Sequence, residues 1–207
     1  SRRKQKETRA RRERERQERA KAWAARKAGE ILHLGEDVSG GLSHKTSDVQ
    51  RLRDAGLPVL STAEELAKRI GVEVKALRFL AYNRRVSRVT HYRRFLLPKK
   101  TGGFRLISAP MPRLKRAQTW ALAQILNKLP LHAAAHGFVT GRSIVSNARP
   151  HVGADVVVNL DLKDFFPTIT FPRVKGALCK LGYSEAVATA LALVCTEPDV
   201  DEVALDG

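Results

Sequence analysis

The sequence is poor in sulfur, aromatic rings and negative charge. It holds two cysteines, Cys179 and Cys195, and one methionine in 207 residues. Two thiols exclude a disulfide framework and a four-thiolate zinc site. Aromatic residues make up only 6%. The longest apolar run, Ala186 to Cys195, falls well short of the roughly 20 residues that span a bilayer. The N-terminus is basic, but no apolar core follows it, so the sequence offers no secretory signal. The expectation is a reducing, cytoplasmic compartment and no membrane partner. Asp plus Glu number 21 against 38 Lys plus Arg, a net charge of +17. That excess suits a polyanion such as nucleic acid. Hydrophobic residues at 43% exclude a wholly disordered chain. The length accommodates one to two domains. The chain starts at Ser1 rather than Met, and its pattern is still running at Gly207, so the expectation is a piece of something longer.

The charge is concentrated at the front. Residues 1–28 hold 13 Lys/Arg against four Glu, a net of +9. The segment has good helix propensity and almost no apolar residues. It reads as a solvated tail, partly disordered or helical, and equally as a non-specific phosphate-binding arm. Residues 30–60 mix Gly, Ser and short apolar pieces and read as a linker with a short helix near Ser47 to Ala55.

From Ser61 the pattern becomes globular. Ser61 with Glu64, or Thr62 with Glu65, can form a capping box. Leu66, Ile70, Val74, Leu77, Phe79 and Leu80 follow at helical spacing around Gly71. Residues 61–82 therefore read as helix, turn, helix. This is the shape of a DNA-reading pair, or of two ordinary packed helices. A hairpin comes next. Phe95 to Pro98 and Phe104 to Ser108 flank Lys99-Lys100-Thr101-Gly102-Gly103, whose glycines supply the positive φ of a tight turn. Two lysines at the turn and Arg105 on the return strand can converge on one anion, and a triphosphate suits them. A helix from about Arg113 to Leu129 has an apolar stripe of Leu114, Ala117, Ala121, Leu122, Ile125 and Leu129. Arg113, Lys115 and Arg116 crowd its first turn, where the helix dipole disfavours cations and a phosphate backbone would offset that cost. In the loop that follows, Arg142 is placed to touch a nucleic acid strand and Ser143 to cap a short helix. Asn147 and His151 share a face if that segment is helical, although Pro150 interrupts it.

The segment DVVVNLDLKDFFPTI, Asp155 to Ile169, is the most informative. Val156, Val157, Val158 and Leu160 read as a buried central strand. Asp161 sits at its end, with Asp164 three residues on. A carboxylate buried there costs several kcal/mol unless it is paired. Two readings stand: Asp161 caps a turn with no metal, or a cation sits at the strand end, where magnesium prefers carboxylate, phosphate and water oxygens.

The blocks LPKKTGGFRLISAP, LKRAQ, AHGFVTGRSI, NARPH and VVNLDLKDFFPTI stand in the order and spacing of bacterial reverse transcriptases. NARPH fits the Asn-Ala-x-x-His pattern that marks the retron type. The sequence thus resembles a retron reverse transcriptase over about Ser61 to Cys195. The resemblance implies an α+β, right-hand polymerase fold; the first 60 residues lie outside it and read from their composition as a basic helical N-terminal extension. Residues 1–60 would form that extension and linker, 61–150 the helical and hairpin fingers, and 151–207 the start of an antiparallel palm sheet. It implies RNA-directed DNA polymerase activity with two Mg2+ ions. Asp161 would be the first metal-binding carboxylate, and the Leu162 carbonyl a further ligand. Phe166 would be the gate under the sugar, with Phe165 lining the same pocket. Lys99, Lys100 and Arg105 would hold the incoming triphosphate. Arg113, Lys115, Arg116, Arg142, Asn147 and His151 form the expected nucleic-acid contacts. The implied partners are a structured non-coding RNA serving as template and primer, its DNA product, dNTPs and a retron effector protein. The family's Tyr-x-Asp-Asp box, which completes the metal site, is absent from the chain. The 207 residues alone are therefore expected to be inactive, with the remaining ligands beyond residue 207. The alternative function is a non-catalytic nucleic-acid-binding protein built on the 61–82 pair and the basic arm.

Overall fold

The computed structural model describes residues 2–82, 91–100, 102–163 and 165–197. Helix α1, Arg2–Gly29, opens the chain. Its residues are solvent-exposed from Lys4 to Ala28, as expected for a helix with no apolar stripe. Short α2, Val49–Asp54, is capped by the Asp48 carboxylate, which accepts from the Arg51 amide. Helix α3, Ala63–Ile70, begins at a capping box in which Thr62 and Glu65 bond each other's backbone. Of the two boxes legible in the sequence, the Thr62 pair forms, and Glu65 also accepts from the Ser61 amide at 2.6 Å. Gly71 ends α3, and α4, Val74–Ala81, follows at once. Strands β1, Tyr92–Pro98, and β2, Phe104–Pro110, form an antiparallel hairpin that pairs Pro98 with Phe104 and Tyr92 with Pro110. Gly102 and Gly103 close its turn at φ of 88° and 77°, angles a side chain resists. Helices α5, Pro112–Gln124, α6, Ile144–Ala148, α7, Phe171–Lys180, and α8, Glu185–Cys195, complete the chain. Among the described residues no helix is long and apolar enough to cross a membrane.

The core gathers around α8, whose residues Ala186 to Val194 are all buried. Leu66 and Ala67 of α3, Leu77, Leu80 and Ala81 of α4, and Leu114, Ala117, Ala121 and Ile125 at α5 join the same cluster. Of the stripe expected over Arg113 to Leu129, Leu114, Ala117, Ala121 and Ile125 are buried and Leu122 is exposed, while Leu129 is half-buried beyond α5, which ends at Gln124 and gives way to the 3-10 turn Leu126–Lys128.

Two expectations are corrected. Residues 30–60 are not a loose linker. Ile31, Leu34, Val38, Leu42, Leu52, Leu57 and Leu60 are buried in the core cluster, each worth roughly 1.5–3 kcal/mol when fully covered. A seam of polar bonds fixes this segment to the α7–α8 corner. Ser47 Oγ donates to the Leu60 carbonyl at 2.6 Å and accepts from the Ser184 amide at 2.7 Å. Ser184 Oγ donates to the Ser61 carbonyl at 2.8 Å. The Asp48 amide bonds the Gly182 carbonyl at 2.8 Å, and a Cβ on Gly182 would lie 3.2 Å from the Asp48 carbonyl oxygen. The sequence hid this segment because its apolar residues follow neither a helical nor a strand period.

The second correction concerns Val156 to Leu160. They form no strand and are exposed, Val156 at 77% and Leu160 at 90%. A strand exists through its partner, and the hairpin is the only sheet among the described residues. With no neighbour to pair its N–H and C=O groups, an apolar run has no reason to become a ladder. The palm sheet expected at 151–207 is accordingly not formed among the described residues, and the fold seen is a helical assembly with one antiparallel hairpin.

Candidate nucleotide and nucleic-acid site

The hairpin is anchored at its base and bare at its tip. Tyr92 is half-buried against the core, and its hydroxyl accepts from the Gln118 amide at 3.1 Å. Burial raises the pKa of this phenol above its ordinary value. Arg94 reaches Glu197 through two donors, at 2.6 and 3.1 Å, with the arginine side chain only 16% exposed. Both donors converge on the one Oε1 of Glu197, and the charge on each partner strengthens the contact. Beyond this anchor Leu96, Leu97, Phe104 and Leu106 stand exposed. Lys99, Lys100 and Arg105 are exposed too, and among the described residues their side chains make no hydrogen bond or ion pair. Cross-strand pairing sets Arg105 opposite Leu97, one step from the turn. Three uncommitted cations thus occupy the end of a rigidly held arm.

The first turn of α5 carries Arg113, Lys115 and Arg116, with no acidic residue to balance them. All three are exposed. Arg113 also lines a cleft with Lys75, Arg78, Phe79 and Tyr82 of the α4 region; of these four only Phe79 belongs to the apolar spacing of residues 61–82.

The loop after Pro130 is organised by Arg142. Its guanidinium donates to the carbonyls of His132 and Ala133, each at 2.9 Å, and to that of Ala135. The structure therefore gives Arg142 a loop-shaping task beside the strand contact expected of it. Ser143 caps α6 as its position suggested, in a capping box with Ser146, and His136 bonds the Ser146 hydroxyl at 3.0 Å. Asn147 lies in α6, and His151 lies in the 3-10 turn Arg149–His151 that Pro150 imposes.

Asp161 does not sit at the end of a buried strand. It is exposed, as is Leu162, and the Asp161 carboxylate makes no hydrogen bond or ion pair among the described residues. No burial cost attaches to this carboxylate, because water already solvates it. Asp164 and the acidic residues Asp199, Asp201, Glu202 and Asp206 lie outside the described residues. Among the described residues no three His, Cys, Asp or Glu side chains gather into a metal-holding group. The oxygen donors suit a hard cation such as Mg2+. One carboxylate and one carbonyl do not by themselves hold two ions, so these residues fit the metals only as part of a ligand set.

Phe165 and Phe166 are brought together with a residue the sequence reading missed. Their rings meet edge to face at 5.5 Å, and Phe138 meets Phe166 at 6.2 Å and 75°. Phe138 is almost wholly exposed and holds φ at +57°, a conformation that non-glycine residues rarely adopt. The available signal in the sequence was an aromatic residue set directly after Gly137 in a loop that also holds Gly141. The contact joins the loop shaped by Arg142 to the turn that follows Asp161.

No family model matches the chain. It is 45% identical over 189 residues to the retron Mx162 reverse transcriptase of Myxococcus xanthus, covering 90% of this chain and 39% of that protein. It is 49% identical over 160 residues to the retron Mx65 reverse transcriptase of the same organism, covering 77% and 38%. It is 37% identical over 147 residues to the retron Ec86 reverse transcriptase of Escherichia coli, covering 70% and 45%. Identity of 37–49% over 70–90% of its length makes the chain a homologue of the reverse transcriptases. The particular family is that of the retron reverse transcriptases, and the chain spans about two fifths of the length of these relatives.

Proposed function

We propose that the chain is the fingers and first part of the palm of an RNA-directed DNA polymerase of the retron type. Residues 61–150 would be the fingers and 151–207 the start of the palm. The single observation that carries the proposal is 45% identity to a retron reverse transcriptase across 90% of the chain. The helix-turn-helix alternative draws no support from these relatives.

The reaction read from the family joins a primer hydroxyl to the α-phosphorus of a dNTP. A P–O bond forms there, the bond to the β-phosphate breaks, and the hydroxyl proton is lost to solvent. Lys99, Lys100 and Arg105 bind the triphosphate, drawing on cations that have no other partner. Phe166, backed by Phe165, lies against the sugar and excludes a 2′-hydroxyl by occupying its space. Asp161 and the Leu162 carbonyl supply two of the oxygens that hold Mg2+, and the remaining ligands come from outside these residues. Bound there, the metal would supply Lewis-acid activation for the attacking hydroxyl and charge stabilisation for the leaving pyrophosphate. Arg113, Lys115, Arg116, Arg142, Asn147 and His151 take the template and primer. The template is a structured non-coding RNA, the product is a branched RNA-linked DNA, and a retron effector is a further partner. The compartment is the bacterial cytoplasm.

Primer extension with Mg2+ tests the assignment. Asp161→Asn in the full-length protein keeps the shape and removes the charge. Extension should be abolished, while RNA affinity, measured in parallel, should change by less than about threefold. Extension at the native rate would remove Asp161 from the metal site.

A further inference from the structure

An open cleft of about 470 Å3 lies between α4 and the start of α5, lined by Lys75, Ala76, Arg78, Phe79, Tyr82 and Arg113. Its wall combines three cations with two aromatic rings. Glu73 pairs with Lys75 at 3.5 Å in solvent, and among the described residues no acidic side chain lines the cleft itself. Arg78 and Arg113 have no ion pair among the described residues. The rings are held by neighbours from other segments. The Phe79 ring meets His91 edge to face at 4.7 Å, and the His91 imidazole bonds the Phe79 carbonyl at 2.8 Å. The Tyr82 ring meets the His33 ring at 5.9 Å. Both histidines are thus placed to fix the platform.

From this composition we infer that the cleft is a binding site for a single-stranded segment of nucleic acid, with phosphates on Lys75, Arg78 and Arg113 and a base against Phe79 or Tyr82. The inference rests on the polymerase reading and deepens it, since it adds a strand contact away from the residues that reading assigns to dNTP and metal. Cations alone would accept any polyanion. Rings beside cations favour a strand with unpaired bases, because a base within a duplex is already stacked. Open cationic grooves with stacking rings are how single strands are held without sequence readout. An apolar protein partner does not suit a cleft whose polar lining is all basic, and a lipid surface would meet the cations without using the rings.

The test is fluorescence anisotropy of the full-length protein with a labelled single-stranded oligonucleotide, as RNA and as DNA, across a salt series. Lys75→Ala with Arg78→Ala should weaken binding at least about tenfold at low salt. It should also flatten the slope of log K against log salt by about 1.4, the value for two single-strand phosphates. Tyr82→Leu should weaken binding about five- to a hundredfold with the salt slope unchanged, since stacking releases no counterions. Lys75→Glu alone, at an exposed position of α4, guards against misfolding and should weaken binding more than Lys75→Ala with an unchanged melting temperature. RNA and DNA arms that respond alike place the site on the shared chemistry, and a larger loss on one names the strand. Native affinity and slope in the alanine and charge-reversed variants would overturn the inference, as would equal losses on a fully paired duplex. The wild-type protein's primer extension separates the two ideas. Extension with native binding by the cleft variants sinks the cleft alone, whereas a wild type that neither extends nor binds sinks the polymerase reading beneath it.

Discussion

At the scale of the residue, the informative groups are those whose chemistry is out of step with their surroundings. Phe166 is large, apolar and 66% exposed beside Phe138 and Phe165. A ring held in water by two other rings is available to a ligand. Phe166→Ala should therefore relax sugar discrimination, because an excluded volume disappears. The ratio of ATP to dATP incorporation in primer extension reads this directly, and it should rise at least about tenfold. An unmoved ratio would transfer the role to Phe165. Tyr183 presents the opposite mismatch. It is buried, its hydroxyl has no hydrogen-bond partner, and burial pushes its pKa up. An unsatisfied buried hydroxyl costs roughly 1–3 kcal/mol. Tyr183→Phe should accordingly raise stability by about 1 kcal/mol in denaturant titration, and a loss of that size would mean the hydroxyl has a partner in solution.

At the scale of the element, the seam between residues 40–61 and the α7–α8 corner carries a pH dependence. Glu185 accepts from His44 Nδ1 at 2.9 Å and from Lys175 Nζ at 2.9 Å, and Lys175 also bonds the Gly40 carbonyl. The His44 imidazole first, and the Lys175 ammonium second, hold the Glu185 carboxyl below its ordinary value of 4.5. A carboxyl depressed in the folded state contributes stability that is present above its unfolded value and lost as pH falls through its folded one. The loss therefore begins near pH 4.5 and grows downward. The Glu185 side chain is 42% exposed, so screening keeps the contribution below about 1 kcal/mol. Thermal melts from pH 6 to about pH 3 should show the variant Glu185→Gln less stable than wild type at the upper end and converging with it at the lower. Parallel curves would detach Glu185 from the seam's energetics. The hairpin is the other element with a clear division of labour, with its base fastened by Arg94 to Glu197 and its cationic tip left to the ligand.

At the scale of the whole molecule, charge and the incomplete ligand set act together. The net charge of +17 is spread over α1, the hairpin tip and the start of α5. Residues 1–207 alone should bind RNA, with log K falling linearly against log salt as phosphate contacts release counterions. The same polypeptide should not extend a primer, because Asp161 is the one carboxylate proposed as a metal ligand among the described residues and one carboxylate does not hold two ions. Filter binding across a salt series and primer extension beside the full-length protein check both halves. Templated DNA synthesis by residues 1–207 would show that these residues hold the whole metal site.

The sequence by itself determined the local elements and the family. Capping residues placed α3 and α6, the paired glycines placed the hairpin turn, and five ordered blocks named the retron reverse transcriptases. Local signals sufficed there because caps, turns and motifs are written in neighbouring residues. Tertiary structure alone decided three other matters. It drew the irregular apolar residues of 30–60 into the core, which no period announced. It set Lys75, Arg78, Phe79 and Tyr82 beside Arg113, across more than thirty residues of chain. It left Val156 to Leu160 exposed, because a strand's stability lies in the neighbour it pairs with, and pairing is not a property of the run itself.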